Sequence, residues 1–142
     1  MFSLFKAFQT KKIDSHFANL LAVTKLDGTV SEEEISYLYK AGQKFGYSEA
    51  DVNDFLNNND VQEPQIPETR EERIEQVLDL LELIGINKVV TEEELEFVTN
   101  YAYKLGAKSE FTDIIIRKMA MELLQDKTRE EVKTAITPFL VY

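Results

Sequence analysis

The chain of 142 residues has no cysteine, which removes disulfides, thiolate nucleophiles and zinc–cysteine centres together. Glycine and proline are scarce, at five and three, and long stretches contain neither. So few turn formers favour helices over a turn-rich sandwich. No stretch approaches ~18 uninterrupted apolar residues, so the sequence offers no membrane span. The opening MFSLFKAFQTKK lacks the apolar core and small-residue cleavage site of a secretory signal, and the expected location is the cytoplasm. Basic residues are also in deficit. Sixteen Lys and Arg face 26 Asp and Glu, a net charge of −10. With no Lys/Arg cluster to override it, that charge repels a phosphate backbone and disfavours nucleic acid. Cations or basic protein surfaces are the expected partners.

Histidine occurs once, as His16. A lone His beside Phe17, with no orienting partner visible in the sequence, reads as structural and not as a metal ligand or general base. A Gly-rich phosphate loop, a nucleophile elbow and the His–carboxylate spacing of a zinc site are missing too, so the sequence reads as non-catalytic.

What is present repeats. Residues 20–46, LLAVTKLDGTVSEEEISYLYKAGQKFG, align without a gap on residues 80–106, LLELIGINKVVTEEELEFVTNYAYKLG, at an offset of 60 positions. Leu20, Leu21 and Val30 match Leu80, Leu81 and Val90; Glu32, Glu33 and Glu34 match Glu92, Glu93 and Glu94; Lys44 and Gly46 match Lys104 and Gly106. Each copy reads as two helices and a tight corner. Phe17, Leu20, Leu21 and Thr24 share one helical face, and Asp27-Gly28 breaks that helix. Ser31 with Glu34 forms a capping box, and three glutamates suit the positive end of the helix dipole. Ile35, Leu38, Tyr39, Gly42 and Phe45 continue the buried stripe up to a Gly46 cap. Ser48/Asp51, Thr69/Glu72, Thr91/Glu94 and Thr128/Glu131 mark further helix starts. In the second copy Ile74, Val77, Leu78, Leu81 and Ile84 pattern one helix, and Leu95, Val98, Ala102 and Leu105 its partner. Ile115, Met119 and Leu123, then Val132, Ile136 and Phe139, suggest two closing helices. The expected fold class is all-α: a multihelical single domain of two pseudo-symmetric helix-turn-helix repeats. Repeat one spans about 15–58, a linker with Pro64 and Pro67 covers 59–68, repeat two spans about 69–125, and a closing helix occupies 128–141.

Leu26, Asp27, Gly28, Val30, Ser31, Glu34, Phe45 and Gly46 carry a pattern that resembles the TerB-like family associated with bacterial tellurite resistance. That family's helix runs into Ala-Asp-Gly-x-Ile/Val-Ser/Asp-x-x-Glu, and a second helix closes at Leu-Gly or Phe-Gly. This chain departs from it at Leu26, where the family has Ala, and at Asn87-Lys88, where the second copy would repeat Asp-Gly. The resemblance covers about residues 15 to 125. It implies pseudo-twofold helical halves around central helices, and an acidic surface that binds metal ions or protein partners in stress-response complexes, some at the inner membrane.

Asp27, Glu33 and Glu34 are the candidate metal ligands, and a hard cation such as Ca²⁺ or Mg²⁺ would want several such oxygens converging. In the structural alternative Asp27 shapes the corner and Glu34 caps the helix, with no metal. The segment overlays the second half of an EF-hand loop, but Val23 and Lys25 stand where its first and third carboxylates belong. The sequence therefore supports a binding or scaffold module that is metal-responsive or metal-free, and offers little for a carboxylate–metal hydrolase. At the N-terminus Met1, Leu4, Phe5 and Phe8 share a helical face near Lys6, Lys11 and Lys12. That face is expected against the core, with an anionic membrane surface as the alternative.

Overall fold

The computed structural model describes residues 13–26, 28–58, 63–108 and 110–137. Among them it is all-helical, with seven helices and no strand. The N-terminal apolar face, Asp27, Phe139 and residues 59–62 of the linker lie outside the described residues. The helices are α1 (Ser15–Thr24), α2 (Glu32–Gln43), α3 (Glu49–Asn58), α4 (Arg70–Ile84), α5 (Glu92–Lys104), α6 (Thr112–Leu124) and α7 (Arg129–Ile136). None is long and apolar enough to cross a membrane.

α1 and α4 form the centre. α1 packs against α2, α3 and α4, while α4 also meets α5, α6 and α7. The sequence suggests one buried face for α1, but every residue from His16 to Thr24 is buried. A short helix enclosed on all sides must be apolar all round or satisfy its polar groups, and α1 does both. Asn19 donates to the Ser15 carbonyl and Thr24 to that of Leu20. Asp14, unmarked by the sequence reading, caps α1 through its carboxylate, which accepts from the N–H groups of His16 and Phe17.

Both long corners start their second helix alike. Ser31 and Glu34 cap α2 reciprocally, and Thr91 and Glu94 do the same for α5. The ends match as well. Tyr47 N–H donates to the Gly42 carbonyl and Gly46 N–H to that of Gln43; Ala107 and Gly106 donate to Ala102 and Tyr103 in the same pattern. Such a paired closure needs a left-handed residue, supplied by Gly46 at φ 80° and Gly106 at φ 102°.

Two inward assignments shift. Phe45 lies beyond the end of α2, 38% exposed, where it stacks on Tyr47 and tilts against Phe17. On α6 the wholly buried side chains include Ile116 and Met119, while Ile115 and Leu123 are only partly buried. Around the helix Ile116 falls between Met119 and Ala120, at the middle of the buried face, whereas Ile115 falls at the edge of that face beside Met119. Gly42 lets α3 approach α2 closely, since a Cβ there would sit 2.9 Å from Val52 Cγ2.

The matched caps give a direct test. Ser31→Ala and Thr91→Ala should each lower stability by ~1 kcal/mol in urea melts. Two unchanged midpoints would mean that these hydroxyls do not anchor their helices.

Candidate functional site

On α4 the residues Glu71, Glu75, Asp79 and Glu82 are spaced by four, four and three, which sets four carboxylates along one helical face. On α7 the cations Arg129 and Lys133 are four apart and face them. Arg129 Nη2 lies 2.6 Å from Glu75 Oε2, and Nη1 lies 2.8 Å from Asp79 Oδ1 and also pairs with Glu82. Lys133 Nζ lies 2.6 Å from Glu75 and 3.1 Å from Glu71. The lattice continues inward. His16 Nε2 donates to Asp79 Oδ2 at 2.8 Å, His16 Nδ1 meets the Tyr101 hydroxyl at 3.0 Å, and that hydroxyl donates to Gln76 Oε1 at 2.9 Å. The Tyr37 hydroxyl on α2 reaches the Asp79 carbonyl and the Glu82 carboxylate. Side chains from α1, α2, α4, α5 and α7 thus share one polar network.

Burial alone would raise the Asp79 pKa, but the His16 hydrogen bond and the charges of His16 and Arg129 outweigh it and hold the carboxyl below its usual range. Glu75 is lowered in the same way, with burial overcome by Lys133 and Arg129. Burial opposes the Arg129 charge, yet Glu75, Asp79 and Glu82 raise its pKa above normal. Tyr37 and Tyr101 are pushed up, first by burial and then by nearby carboxylates. Both hydroxyls therefore stay protonated as donors at neutral pH.

Outside this network lies a cleft of about 440 Å³ with Leu81, Ile86 and Leu123 among its lining and Tyr37, Glu82 and Arg129 along one wall. A smaller pocket of about 200 Å³ shares that wall and runs over Leu20 to Lys40 and Lys44. At the cleft mouth Lys88 Nζ meets Asp126 Oδ1 at 3.1 Å. Among the described residues these are the two non-glycine residues with positive φ, at 62° and 65°. Left-handed backbone costs roughly 1–2 kcal/mol for an ordinary side chain, whereas an exposed ion pair contributes about 0–1 kcal/mol. The pair does not offset that cost, so the corners themselves hold the strained backbone. Lys88 stands at the repeat position of Gly28, whose φ is 83°.

The residues singled out from sequence fare unequally. Asp27 lies outside the described residues. Glu33 is exposed, and Glu34 is buried with Oε1 accepting from the Ser31 N–H at 2.8 Å and from Asn87 Nδ2 at 3.4 Å. Adjacent helical positions do not face each other. Among the described residues no three His, Asp or Glu side chains converge to hold a metal ion. The structure instead joins the two corners, with the Ser31 hydroxyl donating to Asn87 Oδ1. His16 does have a carboxylate partner, Asp79, which lies 63 positions away and cannot be paired with it from sequence. The available signal was an acid set among Leu78, Leu80 and Leu81 on a buried helix. His16 is 6% exposed and both ring nitrogens are engaged, so neither offers an open lone pair to a substrate.

Compared with known proteins, the chain matches no family model, no curated protein and no solved structure.

Asp79→Asn should cost about 2 kcal/mol at neutral pH, below a full buried-pair loss because a quarter of its side chain is exposed. Because the folded pKa of Asp79 and Glu75 is depressed, their contribution is present above the unfolded carboxylate range and lost as pH falls through the folded values. Urea melts from neutral to acid pH should show wild-type stability falling below about pH 5, with a shallower fall in the variant. Parallel acid limbs would remove Asp79 from this role.

Proposed function

We propose that the chain is a non-catalytic binding or scaffold module of TerB-like architecture, built from two pseudo-symmetric repeats, that holds a protein partner in the cleft between α4 and the α6–α7 corner. On this reading it works in the cytoplasm within a bacterial stress system of the tellurite-resistance type, including complexes associated with a membrane. The observation that carries the binding reading is the cleft itself, where Lys88 and Asp126 both hold left-handed backbone beside a lining of mixed polar and apolar side chains. Strained residues at the rim of a concavity are where binding sites concentrate.

Several features support the repeat. α2 and α5 begin 60 positions apart with the same reciprocal caps, close on the same glycine turn, and follow corners with positive φ at Gly28 and Lys88. The closed environment of His16 favours binding over catalysis. The capping duty of Glu34, with Asn87 on the same oxygen, favours the metal-free form of the module over a Ca²⁺ or Mg²⁺ response. Phe111, Ile114 and Met121, exposed on and beside α6, offer a second face for a partner.

A photo-crosslinker at Lys127, beside the cleft, should capture a discrete protein from the native host. Lys88→Glu in the same chain should reduce the yield about tenfold by reversing a rim charge. Capture that ignores Lys88→Glu but disappears in Phe111→Ser with Ile114→Ser would move the site to α6 and overturn the cleft reading.

A further inference from the structure

α7 is attached differently from every helix around it. Among its described side chains Val132 is the one wholly buried, whereas Glu130, Glu131, Thr134 and Ala135 are exposed. Among the described side chains the rest of its hold on α4 is mainly ionic: Arg129 to Glu75, Asp79 and Glu82, and Lys133 to Glu71 and Glu75. At the far end the Arg70 guanidinium donates to the Thr137 carbonyl. By contrast α4 keeps seven buried side chains, from Ile74 to Ile84, against the other helices. Loss of α7 would withdraw Val132 from that core and leave the contacts of α4 with α1, α5 and α6.

We propose that α7 is a salt-releasable strap, which leaves α4 as a unit while the body of the protein stays folded. The Debye length is about 10 Å at 0.1 M salt and about 3 Å at 1 M, so over that range salt weakens the exposed rungs of the ladder more than the partly buried ones, while apolar packing is not screened. The outer rung is the most screened, because the Glu71 side chain is 76% exposed; the Arg129 rungs, at 22%, yield last. Once detached, an eight-residue helix is too short to persist alone, and its amides lose their protection. Arg129 lines both pockets, so release also removes a shared wall. The strap stands independently of what occupies the cleft.

Hydrogen exchange on the full chain, at about 0.05 M and about 1 M NaCl, reads this directly. The amides from Val132 to Thr137 should exchange about tenfold faster at high salt, with Leu78, Val98 and Met119 unchanged. Arg129→Gln should exchange fast at both salts. If that variant does not fold, Lys133→Gln should show a smaller rise in the same direction, and Lys118→Gln on α6 should show none. Salt-independent exchange across α7, or a rise that core amides share in step, would make α7 part of the cooperative core and overturn the proposal.

Discussion

One carboxylate holds the architecture together. Asp79 stands on the central helix with one oxygen on His16 and the other on Arg129, so it faces the buried helix and the outermost helix at once. An ionised acid at that depth is costly unless both oxygens are satisfied, and both are. The tyrosines gather for the same reason. Tyr37 covers the backbone carbonyl of Asp79, and Tyr101 fixes the imidazole that covers its side chain. Remove the charge and His16 is left 6% exposed beside a neutral partner, while Arg129 keeps only the outer acids.

The two corners that align in sequence differ in what they carry. Corner one has Gly28 where corner two has Lys88, and both hold positive φ, at 83° and 62°. The substitution strains the second corner and places a long cation over the cleft. Asn87 looks the other way, into the capping box of the first corner, so one dipeptide serves both a corner junction and a cleft mouth. Local propensity alone would place glycine at position 88.

Much of the fold could be read from the sequence because its helices announce their ends. Ser31, Thr69, Thr91 and Thr128 cap the helices expected of them, and Gly46 and Gly106 close two more ends with left-handed backbone. These are local interactions, and local chemistry is what a sequence records. The polar network was not readable for the opposite reason. His16 and Asp79, or Arg129 and Glu75, meet only after the chain has folded back on itself, and no periodicity encodes which distant acid a buried base will find. The enclosure of α1 was hidden likewise, since a helix cannot report how many neighbours will cover it. Glu34 was legible as a cap, but its second partner, Asn87, lies 53 positions away.

The contact at Gly42 governs how this body can deform. Glycine inside a helix gives up about 1 kcal/mol of propensity, and the gain here is the room taken by Val52. Two helices seated that closely cannot slide or rotate past each other without driving Val52 into backbone. α2 and α3 therefore behave as one plate, with the aromatic group of Phe17, Tyr47 and Phe55 as its underside. Deformation of the body is therefore left to the helix contacts outside this plate.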